Sequence, residues 1–470
     1  MKKVIHWFRR DLRVTDNVAL SEAAQRAEQI IPLFIFEDAF RTGPDVGAAR
    51  LEFLLQSVAV LREQLAALGY PLIIRCGKSE EILPQLCREA GAQAVFANKR
   101  YEPYTQRRDE RITAALLAIG VGFELYKDAV IWEESEILTQ AGNPYTVFTP
   151  YSRVWKAKPI PPPRNALKPQ AAPAGQATLR LDILPASAAA VGYPLQHSLP
   201  PAGELAARKL LEQFMAGPVF AYAARRDFPA LAGGSSLSPH LRAGTIGIRT
   251  VLQAWKTARA AATPAGQASG EVFVNELIWR EFYTQVLHHF PHVTKGSFRP
   301  EYDALAWGND PELFAAWSEG RTGYPIVDAA MRCLNATGTM HNRLRMIVAM
   351  FLTKDLLIHW QWGERYFMQR LLDGDMAANN GGWQWSAGTG TDAAPYFRIF
   401  NPVTQGEKFD PEGNFVRQWI PELKDFPADL IQQPWEHPLL LARSKYPARV
   451  VLHEEQRAKC LAMFQAVKKS

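Results

Sequence analysis

Ile30-Ile31-Pro32-Leu33-Phe34-Ile35-Phe36 is an unbroken apolar run with no polar face. A short run of this kind reads as a buried strand, as in a parallel sheet covered by helices on both sides. Working outward, residues 4–8, 71–75, 94–97 and 123–126 repeat the pattern and are expected to be buried strands as well. Between them, residues 48–68 carry apolar side chains at helical spacing and stop at Gly69, while Ser79 opens another helix with Glu80 and Glu81 in its first turn. Residues 1–130 are therefore expected to form an α/β N-terminal domain with a parallel, Rossmann-like sheet. Ligands of such sheets sit beyond the carboxyl ends of the strands. The first strand-to-helix turn here, Arg9-Arg10-Asp11-Leu12-Arg13, carries no glycine-rich phosphate fingerprint, which disfavours dinucleotide binding of the dehydrogenase kind.

After Pro159 the chain becomes rich in Pro, Ala and Gly through about Gly203, the composition of an extended connector, and residues 131–204 are expected to link two domains. Beyond Leu205 the strand pattern fades and helical segments over 272–289, 324–337 and 344–360 dominate, so residues 205–470 are expected to form a larger, all-α C-terminal domain. With 470 residues, 47% of them hydrophobic, the chain has ample material for such cores. No apolar run reaches the roughly twenty residues of a membrane span, and Arg9, Arg10 and Asp11 interrupt the N-terminus before a signal-peptide core could form, so a cytoplasmic protein is expected. Cys76, Cys87, Cys333 and Cys460 lack the short paired spacings of zinc or dithiol centres and read as reduced thiols, with no metal site. A net charge of +6 and a pI near 9.0 are compatible with a polyanionic partner or simply with solubility.

Met340-His341-Asn342-Arg343-Leu344-Arg345-Met346, followed by Asp373-Gly374-Asp375-Met376-Ala377-Ala378-Asn379-Asn380-Gly381-Gly382-Trp383-Gln384-Trp385, sets polar and charged groups in apolar surroundings. Such groups are rarely buried unless paired, and a cavity for a flat, polar cofactor would use them. A buried guanidinium needs an anion, and Asp373 or Asp375 is the nearest in sequence to Arg345, although a purely architectural pair fits as well. Glu276, Trp279 and Arg280 stand at i, i+3 and i+4, so one helical face presents a carboxylate, an indole and a guanidinium together, either as a site or as an exposed ion pair beside a half-buried ring. Tyr222, Arg226 and the turn Gly234-Ser235-Ser236-Leu237-Ser238 offer hydroxyls and backbone amides suited to phosphate, though Gly-Ser turns are also common linkers. Trp383 and Trp385 follow Gly381-Gly382, where an extended backbone would send their rings to opposite sides. Trp307 has Gly308, Asn309 and Asp310 as neighbours, which read as a surface turn.

At these residues, and at Trp7-Phe8-Arg9-Arg10-Asp11-Leu12-Arg13, Asn275-Glu276-Leu277-Ile278-Trp279-Arg280-Glu281-Phe282-Tyr283 and Thr322-Gly323-Tyr324-Pro325-Ile326-Val327-Asp328-Ala329-Ala330-Met331-Arg332, the chain resembles the photolyase and cryptochrome flavoprotein family over nearly its whole length. The resemblance is strongest to the class I photolyases that repair cyclobutane pyrimidine dimers. It implies a folded-back FAD in the helical domain, with phosphates at residues 234–238 near Tyr222 and the flavin bordered by Glu276, Arg280, Asn342, Arg345, Asp373, Asp375 and Asn379. It implies light-driven repair in which the excited, reduced flavin lends an electron to a flipped-out dimer and recovers it. Asn379, an amide at the flavin's central nitrogen, suits a reduced anionic ring. Glu276, in its protonated form, would hydrogen-bond the pyrimidine carbonyls, and Trp279, Trp385 and Met346 would wall the dimer. Arg226, Arg280, Arg343 and Arg398 would grip phosphates, with Asn342 beside them. Trp383, Trp360 and Trp307 would relay electrons to oxidised flavin from the surface, with Trp307 as the exposed end. The implied partner is UV-damaged DNA, single- or double-stranded, met by a monomer with no membrane and no obligate protein partner.

Two positions bear on the lesion: six-four photolyases place histidines where this chain has Asn342 and Met346, which points to cyclobutane dimers. In the first domain, Glu102-Pro103-Tyr104-Thr105-Gln106-Arg107-Arg108-Asp109 lacks the Asn-Glu pair of folate-antenna members, favouring a hydroxydeazaflavin or flavin antenna over methenyl-tetrahydrofolate, with Arg50, Glu102 and Tyr104 as candidate contacts. Gly234, Phe273 and Thr339 also depart from residues usual in the family. The rival reading is a cryptochrome-type blue-light photoreceptor, against which stand Asn379, the dimer-pocket residues and the chain's end soon after its last helix.

Overall fold

The computed structural model describes residues 1–170, 179–195 and 197–469, with the backbone alone for Lys468 and Lys469. They form two compact units, Met1–Phe220 with Ser235–His289, and Ala221–Gly234 with Phe290–Ser470.

The first unit is built on a parallel five-stranded sheet of order β3-β2-β1-β4-β5, with β1 Lys3–Phe8, β2 Gln29–Phe36, β3 Ile73–Cys76, β4 Ala94–Asn98 and β5 Gly122–Tyr126. Side chains alternate across the sheet. Val4, Phe8, Ile30, Phe34 and Phe36 join one core with the helix Ala48–Ala67, while Ile5, Trp7, Ile31, Leu33 and Ile35 join a second core with Leu83, Leu86, Ile112 and Leu116 of the helices Ser79–Ala90 and Pro103–Leu117. This two-sided burial is why β2 is apolar from Ile30 to Phe36. β5 departs from the expected buried strand, because it pairs only with β4 and its residues are half-buried or exposed.

Within residues 131–204 the helix Phe148–Ala157 is anchored by buried Tyr151 and Trp155, and the described remainder before Glu204 is irregular apart from a bridge between Leu138 and Pro144 and a turn of 3-10 helix at Ala189–Val191. Residues 171–178 and 196 of that stretch lie outside the described residues. The helices Glu204–Met215, Ile248–Ala260 and Pro264–His289 complete the first unit. Arg249 pairs with Asp16 at 2.8 Å and Asp128 at 2.6 Å, and Arg13 also pairs with Asp128. Glu281 accepts hydrogen bonds from the backbone N–H groups of Ile131 and Trp132 and from the Trp155 indole. These buried charges explain why compactness breaks the chain near 220 and 289, whereas composition breaks it near 130 and 204.

The second unit is helical, with no strand among its described residues, and its core centres on Trp317, Tyr324, Trp360 and Trp383. A helix expected over 344–360 ends earlier. Asn342–Met350 is α-helical, Phe351–Asp355 is a π-turn, Leu357 takes a positive φ of 53°, and a new helix starts at Trp360. The break is held from outside: Asn309 Oδ1 accepts the His359 N–H at 2.8 Å, and His359 Nδ1 caps the new helix by accepting from Gln361 N. Trp383 and Trp385 lie on the helix Met376–Ala387 rather than on the expected extended backbone, because Asp375 caps that helix through Ala377 N and Ala378 N. Their spacing of two residues still turns the rings about 200° apart. Gly363 lets the neighbouring helix Trp360–Arg370 approach, since a Cβ there would stand 2.0 Å from the Trp383 ring.

Candidate functional site

In the second unit the helix Asn342–Met350 starts at His341, whose Nδ1 accepts from Arg343 N. Burial holds the His341 imidazole down at about 4, against the pull of Asp227. The helix presents Arg343, Arg345 and Met346 half-buried and Asn342 exposed. Arg345 Nη2 meets both Asp373 oxygens, at 2.9 and 3.0 Å, and its Nε donates to the Met340 carbonyl, so of the two candidate anions Asp373 is the partner. The guanidinium is not fully buried as expected: 30% of the Arg345 side chain stays accessible, enough to meet a ligand. Asp375 acts locally as a helix cap. Arg343 pairs with Asp227 at 2.8 Å, lies 4.4 Å over the Phe409 ring and reaches Met346 Sδ at 3.8 Å. Its buried Nε has no protein partner among the described residues.

Asn379 is buried, and its Nδ2 donates to the Glu364 carbonyl at 2.9 Å, while Asn380 Nδ2 reaches Glu364 Oε1 and the Val293 carbonyl. With its amide nitrogen so committed, Asn379 has its carbonyl oxygen available to accept from a ring N–H. Trp383 and Trp360 are buried, and Trp385 is half-buried. Trp307 is half-buried rather than exposed, because it packs beside the core and turns its indole nitrogen inward. It meets His359 edge-on at 5.5 Å, and His359 stacks on Trp360 at 5.5 Å. The indole N–H groups of Trp307, Trp360 and Trp383 have no hydrogen-bond partner among the described residues. Tyr222 is half-buried with the Arg226 guanidinium 5.3 Å from its ring centre, Arg398 is exposed near Phe400, and Gly234 is exposed.

In the first unit, Glu276, Trp279 and Arg280 share one half-buried face of the helix Pro264–His289. Arg280 Nη1 donates to the Ala129 carbonyl at 2.8 Å. Trp279 stacks face to face on Phe148, centroids 3.8 Å apart and planes 4° off parallel. The neighbouring Glu281 is buried, which pushes its carboxyl up to about 7 although three N–H donors act against the shift. In the turn after residue 234, Ser236 has a positive φ of 53°, Leu237 is buried, and Ser235 Oγ accepts from Leu237 N at 3.4 Å, while Ser236 and Ser238 are exposed. Hydroxyls and amides on such a bent backbone suit a diphosphate. In the second unit, taken by itself, the exposed part of Arg345 and the Asn379 carbonyl suit a polar heterocycle, the chemistry of a flavin ring.

The candidate antenna residues are largely engaged by protein groups. Burial alone would raise the Glu102 carboxyl, but Arg100 at 2.8 Å and Arg10 at 2.6 Å hold it well below the usual carboxylate range. Arg50 is buried and donates to the Asp45 carbonyl, and Tyr104 is 48% exposed. At the β1/β4 switch point, where ligands of such sheets usually sit, Arg9 pairs with Asp109, and Asn98 donates to Asp11. Sequence reading missed Asp227, Glu364, His359 and Phe148, since each acts on a residue distant in the chain; only the juxtaposition Arg226-Asp227 gave a local signal.

Residues 273–466 match a family model described as the FAD binding domain of DNA photolyase, and residues 4–170 match the DNA photolyase model. The chain is 41% identical to the deoxyribodipyrimidine photo-lyase of Halobacterium salinarum, over 98% of each chain. Among solved structures it resembles a bacterial class III photolyase from Agrobacterium tumefaciens, with a TM-score of 0.92, 37% identity, and coverage of 100% of this chain and 98% of that one. It also resembles an archaeal photolyase from Sulfolobus tokodaii that holds two FAD molecules, with a TM-score of 0.83, 33% identity, and coverage of 99% and 100%.

Proposed function

The chain belongs to the DNA photolyase family, and from that membership we propose that it repairs cyclobutane pyrimidine dimers in DNA under blue light, with FAD as its redox group. The observation that carries this reading is the polar set Arg345, Asp373, Asp375 and Asn379, intact within the stretch 273–466 that the FAD-binding model matches. Reduced FAD, when bound and excited by light, supplies the electron that opens the dimer. The chain's own residues hold and orient. Tyr222 and residues 234–238 take the diphosphate, while Arg345, balanced by Asp373, and Asn379, oriented by Glu364, take the ring. Asn342 and Arg280 complete that set.

Glu276 offers its carboxyl to the pyrimidine carbonyls, where negative charge develops. Trp279 and Trp385 stack on the extruded bases, and Met346 fills the apolar remainder. Arg226, Arg280, Arg343 and Arg398 hold phosphates without reading sequence. Trp383, Trp360 and Trp307 form the reducing relay. Asn342 and Met346, in place of histidines, support the cyclobutane lesion over the six-four photoproduct. An antenna of flavin or hydroxydeazaflavin type accompanies the FAD, a choice supported by the second FAD of the Sulfolobus protein. The substrate is UV-damaged DNA, and the working form is a monomer.

The test is dimer loss from a UV-damaged thymine oligonucleotide incubated with chemically reduced protein, under blue light and in the dark. Thymines restored only in the light are expected. Flavin that photoreduces without any repair would instead assign the chain to the photoreceptors.

A further inference from the structure

We propose that Phe148, outside every residue set assigned above, is a positioning residue for lesion recognition: it fixes the plane of the Trp279 indole on which the flipped pyrimidine stacks. The inference rests on the reading of Trp279 as a wall of the dimer pocket. The two rings lie 3.8 Å apart and 4° from parallel, a stacked pair of the kind that aromatic rings favour, so Phe148 covers one face of the indole and resists its tilting. Phe148 opens the helix Phe148–Ala157, and Tyr151 and Trp155 follow it at i+3 and i+7 on one face. Both are buried and dock on the helix that bears Trp279: Tyr151 packs 5.2 Å from Phe282, and the Trp155 indole donates to Glu281 at 2.7 Å. Phe148 is thus the outermost ring of an anchored row.

The indole is gripped further by Phe282 at 5.6 Å, edge-on, and by Tyr283 at 5.4 Å. Trp279 nevertheless stays only half-buried, as does Phe148. A ring held in one plane before the ligand arrives loses little orientational freedom on stacking, so the support converts into affinity for an extruded base.

The test compares Phe148→Ala, Phe148→Tyr and Trp279→Ala in the full-length protein. Fluorescence anisotropy measures affinity for an oligonucleotide carrying one thymine dimer and for its undamaged counterpart. Phe148→Ala is expected to weaken dimer binding about fivefold, the scale of one aromatic pair, with undamaged DNA bound as before. Phe148→Tyr is expected to restore dimer affinity. Parent-like dimer affinity in Phe148→Ala, an equal loss on both oligonucleotides, or failure of Phe148→Tyr to restore binding would each overturn the proposal. Trp279→Ala separates the two levels: if it also binds the dimer like the parent, the assignment of Trp279 to the pocket has failed, whereas a loss there with none in Phe148→Ala defeats the positioning role alone.

Discussion

Asn379 carries a neutral amide whose orientation Glu364 dictates, and the consequence is electrostatic. Asn379→Asp would place a carboxylate beside any anionic reduced ring. Added repulsion of about 1.4 kcal/mol lowers a two-electron potential by about 30 mV, and a fall of that order or more is expected in a dye-coupled reductive titration. Trp307→Phe should slow light-driven reduction of oxidised flavin markedly while repair by chemically reduced protein persists; photoreduction at the parent rate would remove Trp307 from the relay. Both roles are proposed from the family motif and residue type. Their supports were not legible there, because the Glu364 carbonyl, the Asp227 carboxylate and the His359 ring reach their targets only through the fold.

Among the elements, the helix Asn342–Met350 depends on its cap. His341 can accept from Arg343 N only when neutral, and burial keeps its folded value near 4, below the ordinary 6.5. Because the folded value is depressed, this contribution is fully present above pH 6.5 and is lost as pH falls from 6.5 through 4. Denaturant titrations across that window should therefore show a steeper loss for the parent than for His341→Asn, which caps without titrating in this range. At the neighbouring contact, Gly363→Ala should destabilise by about 1–3 kcal/mol, the usual cost of overpacking, read as a lower denaturation midpoint. Strands β1 to β4 were readable because burial within the sheet writes itself as short apolar runs, whereas the edge strand β5 is not buried as its pattern suggested. The break after Met350 was not readable, since local periodicity runs through it and Asn309 imposes the turn from a distance. The glycine pair before Trp383 suggested extension, while the cap at Asp375 decided for a helix.

For the whole molecule, the net charge of +6 and the exposed Arg398 bear on encounter with DNA. Affinity for damaged oligonucleotide should fall as salt rises, and Arg398→Ala should reduce the slope of log affinity against log salt by about one phosphate contact. An unchanged slope would exclude Arg398 from the phosphate set. Composition located the change from mixed to helical structure but not the compact units, because residues that tie 235–289 to the first unit are single buried charges rather than a pattern. Glu281 takes its three donors from residues 131, 132 and 155, and Arg249 takes its anions from residues 16 and 128. A gene fragment beginning at residue 205 would strip a buried carboxylate and a buried guanidinium of every partner named here. Chimaeras between relatives should accordingly reject a crossover at the compositional seam, which makes heredity of this fold coarser than its sequence punctuation suggests.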